Sequence, residues 1–290
     1  MTTEPATRTR RSSGTTMAGN LRAKLIVFAC FVVTGVTLLP IVMMALVAFQ
    51  SDGESMAANP SFWPTSWHPE NFTRIFELVP VGKYLGNTII FAAGTTVLET
   101  ITAALAAYAF ARLEFRGRSL LFAIYLGTLM IPAQVTLVPL FIMVSKLQWL
   151  DTWQGMILPH AFTALGVFLL RQFFMGIPRE YEDAARIDGA NRWITFSRVI
   201  IPLAVPAIAT LAVFKFIGQW NNLLWPLIIS NSEATRTIAV GLQVFQDVNG
   251  TQWNLLLAAA AITTLPLVVI FFLTQRWFVR GITMSGLGGR

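Results

Sequence analysis

Six apolar runs alternate with more polar segments along the chain, each long enough to cross a bilayer, which takes a helix of roughly 20 residues. They cover Leu25–Phe49, Tyr84–Ala111, Leu120–Val144, Trp153–Leu170, Val199–Ile229 and Leu255–Thr274. Within each run the apolar residues are continuous rather than alternating, which predicts helices and not a transmembrane barrel. The fifth run is too long for one straight crossing and holds Pro202, Pro206 and Pro226, so a kink or a start outside the membrane is expected. The second run contains Gly94-Thr-Thr-Val-Leu-Glu-Thr-Ile-Thr-Ala-Ala-Leu-Ala-Ala107. Small residues let helix backbones approach closely in lipid, so this span is expected at the centre of a bundle. The pattern predicts an all-α membrane protein of six transmembrane helices, with a further helix in the loop between spans 4 and 5.

That loop, about residues 171–198, carries the most distinctive polar stretch, Pro178-Arg-Glu-Tyr-Glu-Asp-Ala-Ala-Arg-Ile-Asp-Gly-Ala190. Pro178 suits the first helical position, where its missing N–H is no loss. Glu180, Glu182 and Asp183 fall early, where the helix dipole favours negative charge. Gly189 can adopt the left-handed conformation that ends a helix. Ala184 and Ala185 leave a small-residue face. Such a capped helix is either an ordinary connector within its own subunit or a surface presented to a partner.

Composition supports the membrane half of this picture: 55% of the 290 residues are hydrophobic and 12% charged, against roughly 25% charged in soluble domains. Charge then sets orientation, because cytoplasmic loops are enriched in Lys and Arg. With the N-terminus inside, sixteen of the 21 cations fall on the cytoplasmic side, four (Arg74, Lys83, Lys146 and Arg236) fall outside, and Lys215 lies within the fifth span. Both termini are therefore expected in the cytoplasm. The cations are split among separate segments, which argues against nucleic-acid binding despite the net charge of +7.

Residues 1–20 are polar and read as a disordered cytoplasmic tail, 21–280 as the transmembrane domain, and 281–290 as a short flexible cytoplasmic tail. The first apolar run, about 25 residues long, exceeds a signal-peptide core and no small-residue cleavage site follows it, so it reads as an uncleaved helix. Cys30 is the only cysteine, which excludes an intrachain disulfide. In the outer segment from Gln50 to Lys83, Trp63 and Trp67 form either an interfacial belt or a contact for an outer partner.

Candidate chemistry is sparse. Glu99 and Lys215 are ionisable residues inside spans, which makes each a pathway candidate or half of a structural pair. Gln219, Trp220, Asn221 and Asn222 form a polar-aromatic cluster: amides can hydrogen-bond hydroxyl groups and an indole face can stack on a sugar ring, or the cluster can bond one helix to another. His68 and His160 lie far apart, and His160 reads as a satisfied polar residue. No nucleophile or metal-ligand constellation is evident and no phosphate-binding Gly-x-x-x-x-Gly-Lys-Ser/Thr loop occurs, so no catalytic residue, metal site or cofactor is assigned to this chain.

The stretch Asp183-Ala184-Ala185, three residues, Gly189, nine residues, Val199, one residue, Ile201-Pro202 resembles the cytoplasmic signature of bacterial ABC-importer permeases. The spacing fits throughout, with Asp for Glu, Val for Ile and Ile for Leu as departures. Ala106-Ala-Tyr-Ala-Phe-Ala-Arg112, Arg171-Gln-Phe-Phe174, Trp220-Asn-Asn-Leu-Leu-Trp-Pro226 and Gln275-Arg-Trp-Phe-Val-Arg-Gly281 are similar to segments of the carbohydrate-uptake branch, which contains the smaller maltose-transporter membrane subunit. The resemblance implies a permease subunit in a bacterial plasma (inner) membrane. Its expected partners are a cytoplasmic ABC ATPase dimer that binds the ATP, a second permease subunit, and an extracellular or periplasmic solute-binding protein. It also implies that the loop is a coupling helix, with Glu182 and Asp183 pairing with ATPase arginines, Ala184 and Ala185 permitting close docking, and Gly189 turning the chain towards span 5. The implied solute is a sugar or a glycerol-phosphate-type compound. A secondary transporter would need no ATPase but would normally show an internal repeat, and none is evident.

Overall fold

The computed structural model describes residues 16–57, 61–247 and 250–287, the side chains of residues 16–22, 247 and 276–287 aside. Helices dominate: α1 (Thr16–Ala48), α2 (Asp52–Ser55), α3 (Asn71–Leu78), α4 (Val81–Arg112), α5 (Arg118–Gly127), α6 (Ala133–Lys146), α7 (Trp153–Ile157) and α8 (Ala164–Gly176) form the first half. The second half holds α9 (Glu180–Ile187), α10 (Arg192–Thr195), α11 (Ile201–Trp220), α12 (Leu224–Ile229), α13 (Ile238–Gly241) and α14 (Trp253–Leu287). A two-residue antiparallel pair, Gln246–Asp247 with Gly250–Thr251, precedes α14.

Among the described residues four helices are long and apolar enough to cross a membrane on their own, and up to six spans result if each of two bent pairs counts as one. The third run is not one helix. It breaks between Met130 and Ala133 into α5 and α6, which diverge by 99°, where Pro132 cannot continue the backbone ladder. The fourth run bends by 47° between His160 and Ala164, and α8 continues to Gly176, past the expected end at Leu170. The fifth run starts outside its apolar core, at Arg192, passes through a π-helical turn over Phe196–Ile200, and ends at Trp220. Its last residues form the separate helix α12.

The small-residue span lies at the centre. α4 packs against both α8 and α11. Ala103, Ala104, Ala107 and Ala111 are buried with Val167, Leu170, Phe174, Ile200 and Ala204. The approach of α8 is close enough that a Cβ on Gly166 would stand 3.3 Å from the Ala103 methyl. In contrast, α1 lies along α14 and exposes its side chains from Ala23 to Ile41. Such a face suits lipid as its solvent.

At one end of the bundle a polar cap joins α1, α3 and α14. Ser51 and Glu54 form a reciprocal capping box at α2, and Thr65 donates to Glu54 from its backbone and its hydroxyl. These bonds hold the Glu54 carboxyl down at about 2. Asn254 at the start of α14 donates to Asp52 at 2.7 Å and Asn71 donates to the Ala48 and Gln50 carbonyls, tying α1, α3 and α14 together. Trp63 and Trp67 meet edge to face at 6.1 Å and stay exposed on this end.

Residues 1–15 of the expected disordered tail lie outside the described residues. Thr16–Asn20, which were included in that tail, belong to α1. At the other terminus α14 carries the backbone through Gly281 to Leu287 instead of ending at Thr274, and residues 288–290 lie outside the described residues.

Candidate functional site

At the end of the bundle opposite the polar cap, α8 gives way to α9. The first helical residue is Glu180, and the Arg179 carbonyl accepts from the Glu182 and Asp183 amides at 2.9 and 3.0 Å. Pro178 therefore stands just before the cap instead of at the first helical position. Glu180, Glu182 and Asp183 fill the first turn, complementing the dipole. The C-terminus closes as a Schellman motif: Ala190 N–H reaches the Ala185 carbonyl at 2.9 Å and Gly189 N–H the Arg186 carbonyl at 3.0 Å. Gly189 has φ +82°, which a side chain would strain. Asn191 then caps α10 by accepting from Ile194 N–H at 2.9 Å, and α10 leads into α11. With α8 reaching Gly176 and α10 opening at Arg192, the connection is shorter than 171–198.

The two neighbouring carboxylates of this loop face opposite ways. Asp183 is exposed and its carboxylate pairs with Arg186 of its own helix, at 3.3 Å. Glu182 turns inward, against the expectation that it would serve a partner. Its Oε1 lies 2.8 Å from Arg112 Nε, and both side chains are 6% exposed. Arg112 Nη2 also donates to the Phe174 and Ile177 carbonyls at 2.6 and 2.5 Å. One guanidinium at the end of α4 thus holds the end of α8 and the first turn of α9. Tyr181, Ala184 and Ile187 remain outward, Ile187 being 86% exposed, and Trp193 is exposed beside them. Arg112 was missed as a site residue. The only sign of it in the sequence is a lone cation ending the small-residue span.

The pathway candidates divide into two sets. Glu99 and Lys215 meet inside the bundle, Nζ 2.5 Å from Oε1, with Glu99 2% and Lys215 24% exposed. Lys215 also donates to Thr163 Oγ1 at 3.3 Å, at the bend before α8. Lys215, Gln219 and Asn222 line a cleft of about 750 Å³ between α8 and α11, whose walls are otherwise mostly apolar, including Leu165, Leu169 and Phe214. Asn222 Nδ2 donates to Gln219 Oε1 at 3.0 Å at its polar end. Trp220 is 4% exposed and points away from the lining, and Asn221 donates to the Ile217 carbonyl outside it. Trp220 therefore offers no stacking face in the cleft. His160 packs against Phe91 and Trp225 with Nε2 buried and without a hydrogen-bond partner among the described residues, instead of being satisfied as expected. No cluster of metal-ligating side chains occurs among the described residues.

A central small-residue helix, discontinuous neighbouring spans, a largely apolar cleft with one polar end and a capped helix at one end of the bundle fit a multi-pass membrane permease. Residues 99–284 match the family of binding-protein-dependent transport system inner membrane components, and the chain belongs to that family. It is 33% identical over 257 residues to the arabinooligosaccharides transport system permease protein AraQ of Halalkalibacterium halodurans, a match covering 88% of this chain and 92% of the relative. To the sn-glycerol-3-phosphate transport system permease protein UgpE of Yersinia pestis it is 34% identical, over 86% of this chain and 91% of the relative. Its fold matches a chain in the crystal structure of a bacterial ABC transporter involved in the import of alginate, with a TM-score of 0.76, 23% identity and coverage of 93% and 99% of the two chains. The protein is thus a non-catalytic permease subunit of an ABC importer, working with a solute-binding protein.

Proposed function

We propose that this chain is one of two permease subunits in an importer for a neutral sugar or oligosaccharide, with α9 as the helix that docks on an ATPase dimer. The observation that carries the docking role is the division of labour within α9. Glu182 anchors the helix inward while Asp183, Tyr181, Ala184 and Ile187 face outward, uncovered among the described residues. A connector serving its own subunit alone would bury that apolar face. The α9 end is then the cytoplasmic side, with both termini inside as the distribution of Lys and Arg indicates, and the polar cap faces the solute-binding protein.

The α8–α11 cleft supports the solute class. Its polar end offers the amides of Gln219 and Asn222 beside Lys215, on an otherwise largely apolar wall, a combination suited to hydroxyl groups on a carbon ring. Lys215 is already matched by Glu99 at 2.5 Å. The cleft therefore offers little uncompensated positive charge to a phosphodiester or another anion, which favours a sugar over the glycerol-phosphate alternative.

Affinity purification of the chain from its native membrane in mild detergent, followed by mass spectrometry, tests the assembly. Recovery of an ATPase and a second permease is expected, with the ATPase reduced at least fivefold for Asp183→Lys. Recovery of the chain alone would overturn the coupling role and move attention to Glu99 and Lys215 as parts of a self-sufficient transporter.

A further inference from the structure

Two physical routes lead from α9 into the membrane bundle. The covalent route runs through the left-handed Gly189, the short α10 and the π-helical turn at Phe196–Ile200 before reaching α11. Gly189 and the turn at Phe196–Ile200 depart from regular α-helix, and π-turns commonly mark functional positions in helices. The second route is lateral. Arg112 is locked at 6% exposure, and its fork binds a carboxylate of α9 and two carbonyls at the end of α8 while its own backbone ends α4. A planar guanidinium loses little freedom on making several bonds at once and fixes their mutual orientation. Arg171 reinforces the same corner: its Nε donates to the Phe110 carbonyl at 3.1 Å and its guanidinium sits 4.2 Å from the Phe122 ring.

We propose that Arg112 is a positioning residue that makes α9 and the adjoining ends of α4 and α8 one rigid body, so that a push on α9 enters the bundle through α4 and α8 as well as along the backbone into α11. The consequence is specific. Glu182 is a transmission residue internal to this subunit, and it leaves Asp183 as the carboxylate available to the ATPase. The inference rests on the docking role proposed for α9, and it adds the route by which displacement travels from there.

The test uses the assembled transporter in nanodiscs, in a Cys30→Ser background with Leu169→Cys, on the apolar wall of the cleft, as the reporter. Labelling of that cysteine by a membrane-impermeant maleimide is compared without nucleotide and after trapping with ATP and vanadate, and bound ATPase is quantified in the same samples. With Arg112 and Glu182 intact, trapping is expected to change the labelling rate at least fivefold. In Glu182→Gln the ATPase should remain bound within twofold while the labelling change falls below twofold, and Arg112→Lys, which keeps the charge but loses the fork, should fall between. A full nucleotide response in Glu182→Gln would overturn the proposal. So would loss of the ATPase together with the response, because Arg112 would then serve folding alone. A chain with Arg112 and Glu182 intact that holds no ATPase, or holds it without any labelling change, would instead sink the docking role or the assignment of the cleft, and that outcome appears before any clamp variant is compared.

Discussion

Among the described residues the bundle contains two inward-facing pairs of carboxylate and cation, Arg112 with Glu182 and Lys215 with Glu99, and they are built to different ends. In the first, both side chains are 6% exposed and the cation also binds two backbone carbonyls. In the second the carboxylate is 2% exposed but the cation keeps 24% of its surface towards a cleft. Arginine spreads its charge over a rigid fork and organises backbone around it, whereas lysine is a compact charge on a flexible stem that can turn to a third party. The first pair therefore reads as a joint. The second reads as part of a binding surface whose charge has been cancelled in advance.

Removing one partner from each pair should separate these roles most sharply. Arg112→Met leaves Glu182 buried without its cation and takes from the Ile177 carbonyl its Arg112 donor, and loss of one partner of a buried pair typically costs about 3–5 kcal/mol. Reversible unfolding of the purified subunit in a mixed detergent should show a loss of that size. Lys215→Met should cost less, about 1–3 kcal/mol, because Lys215 stands at the edge of an open cleft and keeps 24% of its surface exposed. Its main effect should be on solute handling, and the double variant Glu99→Gln with Lys215→Met should recover most of the lost stability. Equal losses from the two single variants would erase the distinction.

A smaller effect is expected at the turn after α9. Gly189→Ala places a methyl group on a residue at φ +82°, which costs about 1–2 kcal/mol in the left-handed region. Faster hydrogen exchange at the Gly189 and Ala190 amides, with the Arg112 corner unchanged, would confirm that this turn and the clamp are separate joints. The mildest perturbation is acid at the opposite end. Glu54 is held at about 2 from an ordinary 4.5 by the Thr65 hydroxyl, the Thr65 amide and the Ser51 amide. A depressed carboxyl stabilises above its unfolded pKa and loses that contribution as pH falls through its folded one. The Ser51–Thr65 link should therefore hold at pH 5 and weaken progressively from about 4.5 towards 2. Trp63 and Trp67 fluorescence reports this locally, and Glu54→Gln should flatten the response.

Much of the architecture was legible because a bilayer imposes simple rules on composition. The apolar runs, the central position of the Gly94–Ala107 span and the capped helix ending at Gly189 all follow from residue size, charge and backbone freedom. What was not legible depends on helical phase and on contacts distant in sequence. Glu182 and Asp183 are neighbours about 100° apart around a helix, and only Arg112, 70 positions earlier, decides which of them turns inward. The Glu99–Lys215 pairing spans 116 positions and could be stated only as an alternative. Trp220 looked like a stacking platform, but its phase on α11 turns it into the core. The break at Pro132 was hidden because the residues around it are as apolar as a continuous span requires.

That break has a meaning beyond the shape of the chain. A helix that turns through 99° between Met130 and Ala133 interrupts its own ladder of amide bonds. Hydrocarbon provides no substitute for those bonds, at a cost of several kcal/mol for each group left bare. The residues flanking the break, Met130 at 86% and Ile131 at 51% exposure, are oily enough to insert, yet the backbone they flank does not suit a lipid tail as its neighbour. The bend therefore marks a shoreline on the surface of this subunit, the place where the oil must give way to water or to another protein.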